Sequence, residues 1–173
     1  MQPEISMNLW DLLGKIFLNG QVLTVLAAAL AAILPGFGSA RAVGSVGEAL
    51  NGLMSEDPDK FGKGFLLQAL PATQGIYGLI IAFMVLLQLP NVTAGNYAMG
   101  FYMIGACLPI ALCGYYSAIK QGRVAASGIA TIAKQPSASG KTVTATAMVE
   151  LYALLSLLIS FLLVIQNPFA GFL

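Results

Sequence analysis

The 173-residue sequence contains no histidine, and that absence excludes a His-based triad, a His metal site and a histidine pH switch. Charge is nearly as scarce, at 9% of residues against about 25% in an ordinary soluble domain. Eight Lys and Arg face seven Asp and Glu, so there is no basic surplus to bind nucleic acid. The two cysteines, Cys107 and Cys113, stand six apart, a spacing that fits neither a helical face nor CxxC and reads as membrane packing. No P-loop or nucleotide fingerprint is present, so any ATP is left to a partner. What the chain does have is apolar residues, 58% of the total, with a mean hydropathy of +0.83. It reads as a membrane protein.

The positions of the few charges define the organisation. None interrupts Ile16 to Ala40 or Gly64 to Ala118, and from Thr142 to Leu173 the only one is Glu150. About 20 apolar residues cross a bilayer, so the middle run holds two spans, divided by the turn residues of Pro90-Asn91-Val92-Thr93-Ala94-Gly95-Asn96. The predicted fold is all-α, with helices over 20–50, 64–89, 97–132 and 142–167. These make a first hairpin over 20–92 and a second over 93–173, after an N-terminal segment, 1–19. Seven of the eight basic residues (Arg41, Lys60, Lys63, Lys120, Arg123, Lys134 and Lys141) lie toward the loops Asn51 to Lys63 and Ala133 to Lys141. The positive-inside rule places those loops in the cytoplasm and both termini outside. In Met1 to Asn19, Glu4 and Asp11 precede Lys15, with no clear basic n-region. This favours a short interfacial helix using Trp10, Leu13, Ile16 and Phe17 over a cleaved signal peptide.

The hairpins look alike, as duplication predicts. Ile80-Ile81-Ala82-Phe83 aligns with Leu158-Ile159-Ser160-Phe161, and Ser39-Ala40-Arg41 resembles Gln121-Gly122-Arg123. In the first of these alignments the partner of Glu150 is Ala72, so one half alone keeps a carboxylate. Helix 1 carries Ala27, Ala28, Ala31, Gly36, Ala40 and Gly44, and helix 3 carries Gly105, Gly114, Ala118 and Gly122. Such small residues allow close helix contact, in an inner layer or in a simple helix pair. Arg41 snorkels or meets lipid head groups.

Glu150 is the one ionisable group well inside a span. Such a group costs roughly 2.5 to 3.5 kcal/mol on insertion scales and marks an ion or substrate path by default. It lies nine residues beyond Lys141, about 14 Å along a helix and near mid-membrane. Leu70, Thr73, Gln74 and Tyr77 are spaced by three and four, on one helical face. Gln74 is 11 residues beyond Lys63 and Gln121 is 13 before Lys134, so both lie about 16 to 20 Å deep. One carboxylate, two amide oxygens and a hydroxyl at one depth suit a small alkali cation, and Pro71 frees backbone carbonyls nearby. Taken singly, Thr73, Gln74 and Gln121 also fit the role of interhelical glue.

Leu70-Pro71-Ala72-Thr73-Gln74-Gly75-Ile76-Tyr77-Gly78, Leu108-Pro109-Ile110-Ala111, Gln121-Gly122-Arg123-Val124-Ala125-Ala126 and Ala147-Met148-Val149-Glu150-Leu151-Tyr152-Ala153 together resemble the rotor-ring proteolipid of vacuolar-type ATPases. The likeness is to its duplicated-hairpin form in sodium-pumping bacterial enzymes. It implies a non-catalytic subunit of the cell membrane, repeated in a ring. The ring would carry Na+, or alternatively H+, past a stator membrane subunit while partner subunits hydrolyse ATP and turn it through a central shaft. It also implies a sodium site made of the Leu70 carbonyl, Thr73, Gln74, Gln121 and Glu150, with Tyr77 bonded to the Glu. Two rival classes remain. A small secondary antiporter often inserts in both orientations, which the seven-to-one basic bias opposes. A passive pore or structural proteolipid leaves the cost of Glu150 unexplained.

Overall fold

The computed structural model describes residues 8–166 and 168. A short helix, α1 (Leu9–Phe17), precedes four long apolar stretches, and these alone are long and apolar enough to cross a membrane among the described residues. They are α2 (Gly20–Glu56), the broken unit of α3 (Phe61–Ala69) and α4 (Thr73–Gln88), then α5 (Tyr97–Lys134) and α6 (Ser139–Gln166). The chain is an all-helical, multi-pass membrane protein. The interfacial helix predicted around Trp10, Leu13, Ile16 and Phe17 corresponds to α1, where Trp10, Ile16 and Phe17 are exposed. Residues 1–7 and most of the predicted C-terminal tail lie outside the described residues.

The helix ends follow local chemistry. The Asn19 side chain caps α2 by accepting from the Gln21 and Val22 N–H groups, and Asn96 caps α5 by accepting from Met99. The predicted loops were too long. Residues 51–56 continue α2 until Asp57, whose N–H closes the last turn on the Leu53 carbonyl just before Pro58, and residues 61–63 already belong to α3. Charge ends a membrane span without ending a helix, and here the helix stops at a proline.

The central pair, α2 and α5, pack against each other most extensively, α4 lies on α2, and α6 lies on α5. Small residues set this closeness: a Cβ added to Gly38 would stand 2.7 Å from the Tyr115 carbonyl, and one added to Gly122 would stand 2.7 Å from the Ala42 Cβ. Large side chains such as Leu79, Phe83, Leu87, Leu151 and Leu155 point outward, as lipid-facing surfaces do. The interior has two apolar clusters. One is built around Ala31, Ile81, Met103 and Ile110, the other, toward the α2–α3 loop, around Val46, Leu50, Leu67 and Ile129. In sequence register between them lie the buried polar residues Ser39, Gln74, Ser117, Gln121 and Thr146.

At the loop end, the Lys60 ammonium donates to the Ala133 carbonyl at 2.9 Å and pairs with Asp57 at 3.0 Å. This strut ties the two hairpins together.

Candidate functional site

Pro71 lacks an N–H and cannot continue the helical ladder, so Leu70–Ala72 winds as a 3₁₀ turn between α3 and α4. The Leu70 carbonyl then accepts from the Thr73 N–H and from the Thr73 hydroxyl, the latter at 2.9 Å. The same hydroxyl stands 3.5 Å from Gln74 Oε1. A hydroxyl has one proton, so three oxygens gather here around a single side-chain proton. Such an excess of lone pairs is chemically suited to a cation.

Gln74 and Gln121 are fully buried and meet between α4 and α5. Gln74 Nε2 donates to Gln121 Oε1 at 2.5 Å and also faces Ser117 Oγ at 3.5 Å. Gln121 Nε2 in turn donates to the Thr146 carbonyl of α6 at 3.2 Å. The acid is on α6, half-buried, and Tyr77 of α4 donates its phenolic O–H to Glu150 Oε1 at 2.5 Å. Leu70, Thr73, Gln74 and Gln121 thus form one hydrogen-bonded group, and Tyr77, which holds Glu150, stands one helical turn beyond Thr73 on α4. The partner of the Glu150 carboxyl group is a phenol, which brings no countercharge.

Of the six residues singled out from the sequence, Leu70, Thr73, Gln74 and Gln121 are joined to one another, and Tyr77 and Glu150 form a separate pair. Two others were not singled out: Ser117, whose hydroxyl donates to the Val149 carbonyl at 3.0 Å, and Thr146, which supplies its carbonyl to Gln121. Each stands four residues before a chosen residue, Gln121 or Glu150. That spacing shares a helical face and was the available signal. Among the described residues no group of three or more His, Cys, Asp or Glu is placed to hold a metal. The oxygens here come instead from amides, a hydroxyl and a carbonyl around one acid.

The family model for the C subunit of ATP synthase matches the chain twice, over residues 26–85 and 104–163. The chain belongs to this ATP synthase proteolipid family. As a duplicated member, it is a non-catalytic membrane proteolipid with one matched repeat in each hairpin. It is 47% identical over 148 residues to the V-type sodium ATPase subunit K of Enterococcus hirae, covering 86% of this chain and 94% of that protein. It is 35% identical over 144 residues to the A-type ATP synthase subunit K of Methanocaldococcus jannaschii, covering 83% of this chain and 62% of that protein. From 26 to 104 and from 85 to 163 is a displacement of 78 residues in each case, the one that pairs Ile80-Ile81-Ala82-Phe83 with Leu158-Ile159-Ser160-Phe161 and Ala72 with Glu150. The pairing of Ser39-Ala40-Arg41 with Gln121-Gly122-Arg123 is displaced by 82 and is corrected by this register, in which Ser39 meets Ser117.

Proposed function

We propose that the chain is the rotor subunit of a V-type ATPase that carries Na+ through the membrane at Glu150. The observation carrying this reading is the gathering of the Leu70 carbonyl, the Thr73 hydroxyl and the Gln74 and Gln121 amides at the level of a lone membrane carboxylate. A proton needs only the carboxylate and one hydrogen-bond partner, so these donors exceed what H+ requires. The relative from Enterococcus hirae, a V-type sodium ATPase subunit by name, supports the choice of ion.

The ligands are the Leu70 carbonyl, Thr73, Gln74, Gln121 and Glu150, with Tyr77 holding the carboxylate. Identical copies form a ring that turns against a stator membrane subunit, and a central shaft couples the ring to an ATP-hydrolysing head. Both termini face outward, as the distribution of basic residues requires. A loaded site is neutral and passes through hydrocarbon; an emptied site is anionic and is confined to a polar or positive stator surface. Rotation therefore requires loading. With one carboxylate for four spans, each turn moves fewer ions than a ring of equal girth with one per hairpin, so each ion receives more of the free energy of ATP and a steeper gradient can be opposed.

Carbodiimides attack a protonated carboxyl, so bound Na+ should protect Glu150. Labelling of purified rings at fixed pH should fall as Na+ rises. Labelling indifferent to Na+ but falling as pH rises would identify a proton rotor and leave Gln74 and Gln121 as interhelical glue.

A further inference from the structure

We infer that Ser117 is a positioning residue of the cation site, acting through the Gln74 amide; this rests on the sodium-site reading above. The inference follows from the direction of each hydrogen bond around the two glutamines. Ser117 has one hydroxyl proton and gives it to the Val149 carbonyl at 3.0 Å. Its lone pairs are then what it offers to Gln74 Nε2, 3.5 Å away. Gln121 is oriented independently, because its NH2 group donates to the Thr146 carbonyl, and its Oε1 is thereby turned toward Gln74. Both acceptors that α5 presents to Gln74 are therefore oxygens. The Gln74 amide must meet them with nitrogen, and its Oε1 is left facing Thr73 and the Leu70 carbonyl, where the cation is bound.

A flipped amide would set Gln74 Oε1 against Gln121 Oε1 and Ser117 Oγ, three acceptors with no proton between them. Gln121 alone resists the flip with one contact. Ser117 adds a second and ties it to α6, since its proton is held by the carbonyl immediately before Glu150. Ser117 is buried, so water does not readily replace its hydroxyl. In the register shared by the two repeats its counterpart is Ser39, which accepts from the Gly75 N–H at 2.9 Å and touches no site amide. The same residue type has one use in each hairpin, and only Ser117 faces a ligand.

The test is a double-mutant cycle on intact purified rings, read by 22Na+ binding at fixed pH, with Glu150→Gln rings as the measure of site-specific binding. Ser117→Ala should raise the Na+ concentration for half-saturation by about 3- to 10-fold, the worth of one buried hydrogen bond. In a Gln74→Ala background the same change should add nothing, because the amide through which Ser117 acts is gone. A general loosening of the bundle would add equally in both backgrounds. Ser160→Ala removes a buried hydroxyl that accepts from the Ile110 N–H and should leave Na+ binding unchanged. Wild-type affinity in Ser117→Ala, or an equal shift with and without Gln74, would overturn the inference while leaving the sodium site standing. Wild-type rings with no Glu150-dependent 22Na+ binding would overturn both.

Discussion

The second span of each hairpin tells how one repeat came to serve two purposes. In the first hairpin the helix is broken by the 3₁₀ turn Leu70–Ala72; in the second, α6 runs unbroken from Ser139 to Gln166. In the family register Pro71 faces Val149, Thr73 faces Leu151, Gln74 faces Tyr152 and Tyr77 faces Leu155, while Glu150 faces Ala72. None of these residues faces one suited to the same task. The broken helix provides a freed carbonyl, a hydroxyl, an amide and a phenol, and the regular helix provides the charge.

The severest way to break this comparison is to move the charge. Glu150→Gln should abolish ion transport and ion-coupled ATP hydrolysis while rings still assemble, because a neutral amide cannot alternate between charged and loaded states. Adding Ala72→Glu to that variant restores the number of carboxylates but not the surrounding oxygens. It should remain inactive, and transport regained in the double variant would mean that the repeats are interchangeable after all.

Packing gives the next effect. A Cβ on Gly78 would strike the Ala31 carbonyl and come within 2.8 Å of the Pro35 ring, so Gly78→Ala should destabilise the ring by about 1 to 3 kcal/mol, seen as a lower dissociation temperature. Its register partner, Ser156, already has a Cβ, and its hydroxyl bonds the Ala153 carbonyl of its own helix. Ser156→Ala should therefore change stability far less. Equal losses would refute the tighter packing of the first hairpin.

Removing a single oxygen donor should be milder. Thr73→Val should shift Na+ protection of Glu150 to concentrations about tenfold higher, near 1.4 kcal/mol. Leu151→Thr, the matching exchange on the exposed face of α6, should have no effect. The smallest change is expected for Tyr77→Phe. The phenol bonds Glu150 and is outside the proposed ligand set, so its loss should weaken protection by about threefold, within the worth of one hydrogen bond.

The candidate site was legible because charge is rare in this chain: a lone acid between Lys141 and the end of the span stands out, and helical spacing picks out oxygen-bearing residues at a similar depth. The fold was legible for the same reason, and its loop lengths were misread because hydropathy records where lipid ends, whereas α2 continues to Asp57. Ser117 escaped notice for a different reason. Hydroxyls on membrane helices commonly bond a carbonyl of their own helix, as Thr24 does with Gly20 and Ser127 with Val124, and only its spacing of four from Gln121 marks the one that reaches across to α6. The orientation of the two amides was likewise beyond the sequence, since a glutamine's oxygen and nitrogen are assigned only by their neighbours.

The Lys60 strut has a mechanical consequence. Its ammonium sits on the Ala133 carbonyl in the last turn of α5 while Asp57 holds it from the end of α2, where the partial negative charge of the α5 terminus strengthens the grip. A sideways load applied to either loop is shared between both hairpins instead of twisting one against the other. In the proposed site, oxygens from one hairpin and the carboxylate of the other must keep register, and a shear between the hairpins would separate them. The strut thus works as a stiffener at the loop end, bracing the two hairpins where the last turn of α5 meets the end of α2.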